Sequence, residues 1–352
     1  MKRAPTLNDV ARVAKVSRSL ASLVFQDSPK VSESSRAAVL KAAEKLGYQP
    51  NESARRLKST STKTVGVVLT DIHNPYYGHI FYGVESSAAE YGYKLLIGNS
   101  GFEKDELNQK PNMIRDRQIE TVKTIRSQMV DGLVCSSLRT TAEELRSASR
   151  NAPVILIGHT PAALIKDFDV ISTDEDNAAF QILEHLTELG HKRIAYISGG
   201  TDEGPSRRTK AFLAEMKRRN LSSSASIFEG TWSQEAGYER TSEILRMKLL
   251  PTAIYAANDH IALGVLAKLR EEGISVPGEM SVVGYDDSDF SRLKIADLTT
   301  MKEPLFNMGR TGFELLISRI DNKDKALKPK HLKIKPELIV RGSTGPRKKN
   351  LK

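Results

Sequence analysis

Ser17, Arg18, Ser19 and Ser22 are the first residues of this 352-residue chain whose types and spacing suggest chemistry. They open a short amphipathic stretch, Arg18 to about Phe25, in which Leu20, Val24 and Phe25 supply the apolar contacts. Hydroxyls and a guanidinium at a helix start are donors of the kind that meet nucleic acid. The fork of Arg18 suits the edge of a guanine or merely a phosphate. A second chemical segment is Asn51-Glu52-Ser53-Ala54-Arg55-Arg56-Leu57-Lys58. Eight residues cannot hold a helix alone in water, because nucleation is costly, so this segment is a plain linker or a helix that forms only against a partner. A third is Asp286, Asp287 and Asp289. Three clustered carboxylates suggest a metal, but acceptors for ligand hydroxyls, or caps of the next turn, fit them better.

Catalytic patterns are missing. There is no phosphate-binding Gly-x-x-x-x-Gly-Lys-Ser/Thr loop and no Gly-x-Gly-x-x-Gly after a strand, which leaves Gly199, Gly200 and Gly204 as turn residues. The seven histidines show no metal-ligand spacing with each other or with Cys135, and no serine sits in a nucleophile elbow. The expectation is a binding protein with no cofactor, no metal and no catalytic residue.

The donors at Ser17 to Ser22 need a scaffold, and the flanking sequence provides one. Thr6 caps a helix whose inner face is Leu7, Val10, Ala11 and Ala14. Lys15-Val16 make a tight turn, and Ser17 caps the second helix. Asp27-Ser28-Pro29 breaks the pattern. Ser32 caps a third helix with Val39, Ala43 and Leu46 as its stripe and Gly47 as its stop. Two short helices joined by a brief turn and closed by a third form a helix-turn-helix, in which the second helix enters the major groove.

From Val65 the periodicity changes. Short apolar runs at Val65–Leu69, Lys94–Ile97, Gly132–Cys135, Val154–Ile157, Ile194–Ile197, Ala253–Tyr255 and Ser281–Val283 alternate with amphipathic stretches such as Ala178–Leu189 and Ile261–Glu272. Buried strands alternating with helices imply parallel α/β sheets, here enough for two lobes with a cleft at the strand C-termini. The expected organisation is an all-α head at 1–50, a hinge helix and linker at 51–63, and a two-lobed α/β body at 64–343. The first lobe is expected at about 64–161 plus 293–322 and the second at about 162–292 plus 323–343, followed by a basic tail at 344–352. The polar run Glu103–Arg115, interrupted by Pro111, reads as a surface excursion.

Charge placement supports the division. Residues 1–63 hold thirteen Lys/Arg against five Asp/Glu, a net +8, and the last six residues add Arg347, Lys348, Lys349 and Lys352. With a total of +10, the stretch 64–346 is near −2. A basic head on a near-neutral body is the footprint of a polyanion binder. A lone cysteine, an N-terminus without an apolar signal core, and no run of about 18 apolar residues give the expectation of a cytoplasmic protein with no membrane partner.

With these residues in view, the chain resembles the lactose/galactose repressor (LacI/GalR) family of bacterial transcription factors. The resemblance runs from Thr-Leu-Asn-Asp-Val-Ala-Arg-Val-Ala-Lys-Val-Ser at Thr6 through Val31-Ser32-Glu33 and Leu46-Gly47-Tyr48-Gln49-Pro50-Asn51. It continues through Asn74-Pro75-Tyr76-Tyr77, Val130-Asp131-Gly132, His185-Leu186, Leu189-Gly190-His191, Asn258-Asp259, Val276-Pro277, Val283-Gly284-Tyr285-Asp286-Asp287 and Leu298-Thr299-Thr300. It implies a homodimer or a dimer of dimers on a near-palindromic double-stranded operator. Thr6, Ser17, Arg18, Ser19 and Ser22 are then the head's candidate DNA contacts. Asn51, Ala54 and Leu57 are those of a paired hinge helix in the minor groove, Leu57 being similar to the family's wedge leucine. The head departs from the family at Leu20 and Leu23, where a threonine and an arginine are usual, so the operator is expected to differ. Ala211 and Ala296-Asp297 also depart, where the family has glycine and a proline pair.

The body resembles sugar-binding periplasmic proteins, and the resemblance gathers Asn74, Tyr76, Tyr77, Arg208, Trp232, Asn258 and Asp286 into one ligand site. Tyrosine and tryptophan rings offer flat walls. Arg208 and Asn258 bring donors, and Asp286 accepts from hydroxyls. Because no cluster of cations is visible among these residues, a neutral sugar or nucleoside is expected over a phosphorylated effector. The function implied is an effector-controlled transcriptional regulator, a repressor by family. The rivals are a solute-binding receptor, which the basic head disfavours, and a sugar-active enzyme, which lacks a paired acid and base.

Overall fold

The computed structural model describes residues 5–25, 28–48, 61–72, 74–101, 111–200, 206–322 and 327–348. Asn51, Ala54, Leu57 and positions 103–110 lie outside the described residues. The chain divides into two compact units, 1–62 and 63–352.

The first unit contains α1 (Leu7–Val13), α2 (Arg18–Phe25) and α3 (Glu33–Leu46). Thr6 and Asp9 form a reciprocal capping box at the start of α1, which satisfies N–H groups that the helix itself cannot. Lys15 takes the turn at a positive φ of 54°, and the Ser17 hydroxyl accepts from the Leu20 N–H at 3.1 Å. Ser32 caps α3, and Gly47 ends it at φ 64°, a conformation in which only glycine avoids a Cβ penalty. Val10, Ala11, Ala21, Val24, Val31, Val39, Ala42 and Ala43 fill the small core, with Phe25 and Tyr48 tilted against each other at its edge.

The second unit holds two six-stranded sheets. In chain order its elements are β1 (Thr64–Leu69), α4 (Pro75–Glu90), β2 (Lys94–Asn99), α5 (Pro111–Ser127), β3 (Gly132–Ser136), α6 (Ala142–Ser149), β4 (Val154–Ile157) and β5 (Asp169–Thr173). Then come α7 (Glu175–Glu188), β6 (Ile194–Ser198), α8 (Arg207–Arg218), β7 (Ala225–Glu229), α9 (Gln234–Ile244), β8 (Ala253–Ala256), α10 (Asp259–Glu271), β9 (Ser281–Tyr285) and β10 (Thr299–Lys302). The unit closes with α11 (Leu305–Asp321), β11 (His331–Ile334) and β12 (Glu337–Ile339). The sheet orders are β11-β5-β4-β3-β1-β2 and β12-β10-β9-β8-β6-β7. Every pairing is parallel except that of β12 with β10.

The lobe boundaries differ from the sequence expectation. β5 pairs with β4 through Ile155↔Asp169, so 162–173 belongs to the first lobe. β10 pairs with β9 through Thr299↔Val283, so 293–302 belongs to the second. β11 pairs with β5, so the third crossover lies between Ile334 and Glu337. The chain therefore changes lobe at 174, at 303–304 and at 335–336. Pairing partners, which no local pattern reveals, decide this. Pro111 does not interrupt a loop either. It opens α5, where a missing N–H costs nothing, while Ile114 is buried and Arg115 pairs with Glu144.

Candidate functional site

On the head, Ser17, Arg18 and Ser19 are exposed at the start of α2, and Ser22 is half-buried. Thr6 has its hydroxyl engaged with Asp9, 2.7 Å away. Leu20 and Leu23, the residues that depart from the family pattern, are half-buried and pack against the head's core.

In the body, a cavity of about 400 Å³ opens between the lobes. Its walls come from segments that follow the C-terminal ends of parallel strands. Asp71, Asn74, Tyr76 and Tyr77 follow β1, Arg139 follows β3, and His159 and Thr160 follow β4. From the other lobe, Gly200, Arg207 and Lys210 follow β6, Trp232 follows β7, Asn258 follows β8 and Asp286 follows β9. Open parallel sheets bind ligands in this position because strand ends stop there and helix N-termini begin. Three helices start at the cavity, capped by Asn74, Ser206 and Asn258, which accept from the N–H groups of Tyr76, Thr209 and Ile261 at 3.0, 3.2 and 2.8 Å. Their positive ends face the cavity.

Six of the seven residues expected in the ligand site line this cavity: Asn74, Tyr76, Tyr77, Trp232, Asn258 and Asp286. The aromatic wall is continuous. Tyr76 meets Tyr77 edge-on at 5.1 Å and stacks near His159 at 6.3 Å, and His159 leans on Trp232 at 5.5 Å. Trp232 lies against Gly199, where an added Cβ would stand 2.2 Å from the indole. Gly199 is thus a required close approach, not only a turn residue. Asp286 holds φ at 115° with its N–H on the Met301 carbonyl at 2.8 Å. Aspartate rarely tolerates that conformation, and such strain concentrates at functional sites. Burial, then Glu303, raises the Asp286 pKa well above the usual carboxylate range. Burial, reinforced by Arg208, Arg207 and Arg139, lowers His159 to about 4, so its imidazole is neutral at pH 7.

Arg208 does not line the cavity. It is 2% exposed, bonded to both oxygens of Glu175 at 3.1 and 3.2 Å and to the Ala257 carbonyl, and lies 3.2 Å from the centre of the Tyr285 ring. The reason is helical period. Arg208, Ala211, Phe212 and Glu215 form the buried face of α8, and Arg207 and Lys210 share the face toward the cavity. With Arg139 from the first lobe they place three cations in the cavity wall, which overturns the absence of cations that favoured an uncharged ligand. The Arg207-Arg208 doublet was the available signal, but only the phase of α8 shows which arginine faces inward.

Behind the cavity lies a buried charge cluster where the lobes join. Glu175 follows the first crossover and Glu303 lies in the second. Arg208 sits between them, with Glu303 3.8 Å away. The Thr173 hydroxyl donates to one Glu303 oxygen, and the other has no hydrogen-bond partner among the described residues. Burial raises Glu303 to about 7 despite Arg208. Burial also pushes Glu175 upward, but Arg208 more than offsets it and leaves the carboxyl below its ordinary value. The neighbouring acids are structural. Asp287 is held by Arg292 and Arg341, and Asp259 accepts from Ser288 and Thr300. No cluster of three metal-ligating side chains occurs among the described residues. No helix among them is long and apolar enough to cross a membrane.

Comparison with known proteins finds two family models. Residues 6–51 match that of the bacterial regulatory proteins of the lacI family, and residues 183–344 match a periplasmic binding protein-like domain. Over 343 residues the chain is 32% identical to the HTH-type transcriptional repressor PurR of Haemophilus influenzae, covering 96% of this chain and 98% of that protein. Catabolite control protein A of Priestia megaterium is 31% identical, covering 88% and 91%. Among solved structures, the lac repressor dimer bound to operator and the anti-inducer ONPF superposes with a TM-score of 0.84 at 26% identity, covering 97% of this chain and all of that one. A complex of the transcriptional regulator CelR with cellobiose gives 0.68 at 27% identity, covering 96% and 99%.

Proposed function

The chain belongs to the lacI family of bacterial regulatory proteins and is a DNA-binding transcriptional repressor of that family, and from this premise we propose that a small polyhydroxylated ligand held between its lobes controls operator binding. The observation that carries the reading is the cavity itself. It has the size of a sugar or nucleoside, a continuous aromatic wall, and a strained Asp286 and buried Asn258 to meet hydroxyls. The protein acts in the cytoplasm as a homodimer. Ser17, Arg18, Ser19 and Ser22 meet one major groove per subunit, with Thr6 beside the backbone. Asn51, Ala54 and Leu57 enter the minor groove between them.

The switch is two-state. Ligand shifts the angle between the lobes, and that angle sets the spacing of the two hinge segments at the dimer's N-terminal end. Segments held close fold on DNA, and segments held apart do not. The shift can be no larger than the ligand's differential affinity for the two lobe arrangements.

The test is retardation of the chain's own promoter fragment, with binding that weakens steeply as salt rises and that changes when ligand is added. Leu57→Ala is expected to weaken operator binding and reduce bending without altering ligand affinity. Unchanged bending would remove the wedge role, and turnover of a sugar by the purified protein would favour an enzyme instead.

A further inference from the structure

The cavity face of α8 carries positive charge with no carboxylate bonded to it among the described residues, Glu175 acting on Arg207 only through space. Arg207 and Lys210 stand one turn apart on the cavity face of α8. Among the described residues Arg207 meets only neutral acceptors: the Ser172 hydroxyl at 3.4 Å and the Thr160 and Gly158 carbonyls at 3.3 and 3.5 Å. These are long for guanidinium bonds. Lys210 has no hydrogen bond or ion pair among the described residues. The contrast is Arg208, one position along, which has a buried carboxylate bonded at both oxygens.

Two further features point the same way. Asn258 is 3% exposed and lines the cavity; its Oδ1 is engaged by the Ile261 N–H, and its Nδ2 donor has no acceptor among the described residues. Arg139 reaches the same cavity from the other lobe, near enough for it and Arg207 both to disfavour protonation of His159. The acids in the wall are Asp71 and Asp286. Burial drives Asp286 toward its neutral form, which weakens its objection to an anion.

We propose that the ligand of this cleft is an acidic polyol, a sugar-sized molecule whose carboxylate or phosphate is gripped by Arg207 and Lys210 of the second lobe and reached by Arg139 of the first. This rests on the reading of the cleft as the effector site and names the class of effector. The neutral part of the molecule lies on the Tyr76–His159–Trp232 wall. Because the cations come from both lobes, the anionic group is also what favours one lobe angle over another.

The experiment titrates the full chain with inorganic phosphate, and separately with acetate, at constant ionic strength. Trp232, the only tryptophan, reports from the cavity wall by fluorescence. A saturable change is expected with at least one anion, phosphate if the natural group is a phosphate ester and acetate if it is a carboxylate. Arg207→Gln with Lys210→Gln is expected to weaken it by at least about tenfold, as the loss of charge-assisted bonds requires. Arg207→Lys alone keeps the charge and is expected to retain most of the response, which separates charge from folding. No saturable response to either anion, or a response that the double variant keeps, overturns the inference. Glucose and adenosine run in parallel. If either shifts Trp232 and operator affinity while the anions do not, the effector-site reading stands and only the acidic group is lost.

Discussion

Glu303→Gln is the sharpest probe of how the two lobes are joined. In the folded protein burial raises the Glu303 pKa to about 7, whereas an unfolded glutamate titrates near 4.5. Between those values the folded state holds a proton that the unfolded state has released. Stability contributed by this group is therefore complete below pH 4.5 and is lost as pH climbs to 7, because ionised Glu303 in its buried site is the unfavourable form. A difference of about 2.5 pK units at about 1.4 kcal/mol each is roughly 3 kcal/mol. Glutamine keeps the acceptor for the Thr173 hydroxyl and never ionises. The variant is expected to match the native chain near pH 4.5 and to exceed it by up to about 3 kcal/mol at pH 8. Urea unfolding followed through Trp232 at half-unit steps of pH measures the difference curve. Groups on which Glu303 does not act, such as Asp259 (raised by burial to about 6) and His159, titrate in both proteins and cancel in that difference, whereas Asp286, which ionised Glu303 pushes upward, adds to it in the same direction. Parallel curves from pH 4.5 to 8 would refute the buried, proton-holding Glu303. Operator release in the same window would further link this crossover to the switch.

Three other outcomes are expected. Arg208→Ala strands Glu175 and Glu303 without their cation and should cost about 3–5 kcal/mol, whereas adding Glu175→Ala recovers part of the loss; a urea midpoint unchanged in the single variant would contradict the buried pair. Gly199→Ala puts a methyl 2.2 Å from the Trp232 indole, so the ring must move, its emission shift, and ligand affinity in the cleft fall; identical emission spectra would show that the glycine is not a contact. Arg18→Ala should lower operator affinity, either by about 1–3 kcal/mol at one base pair if it reads guanine or uniformly with a salt slope reduced by about 1 if it holds a phosphate, and gel retardation on single-base operator variants across a salt series distinguishes the two. An affinity equal to that of the native chain would remove Arg18 from the interface.

The repression mechanism depends on features at two scales. The head is small, and its stability rests on local devices such as the Thr6–Asp9 capping box and the left-handed Gly47. The body is large, and its cleft depends on three crossovers between sheets packed from separate cores. In the proposed switch, ligand energy applied in the cleft acts on those crossovers, with Glu175 beside one of them and Glu303 on another.

The sequence by itself determined what depends on neighbours along the chain. The caps at Thr6, Ser17 and Ser32, the stop at Gly47, and strands β1, β2, β3, β4, β6, β8 and β9 follow from side chains hydrogen-bonding within a turn and from apolar runs too short for anything but strands. Five strands escaped notice: the edge strands β7, β11 and β12, which are half-exposed, and the buried inner strands β5 and β10, whose Asp169, Ser172, Thr173, Thr299 and Thr300 break the apolar signature. Tertiary structure alone decided which sheet β5 and β10 joined, since pairing is a contact between distant segments. It also decided the cleft's charge. Arg207 and Arg208 are adjacent and chemically identical, yet the packing of α8 sends one into the cavity and the other against Glu175, 33 residues earlier in the chain. A buried guanidinium needs a carboxylate and one beside open space does not, so the fold, by choosing the burial, chose the role.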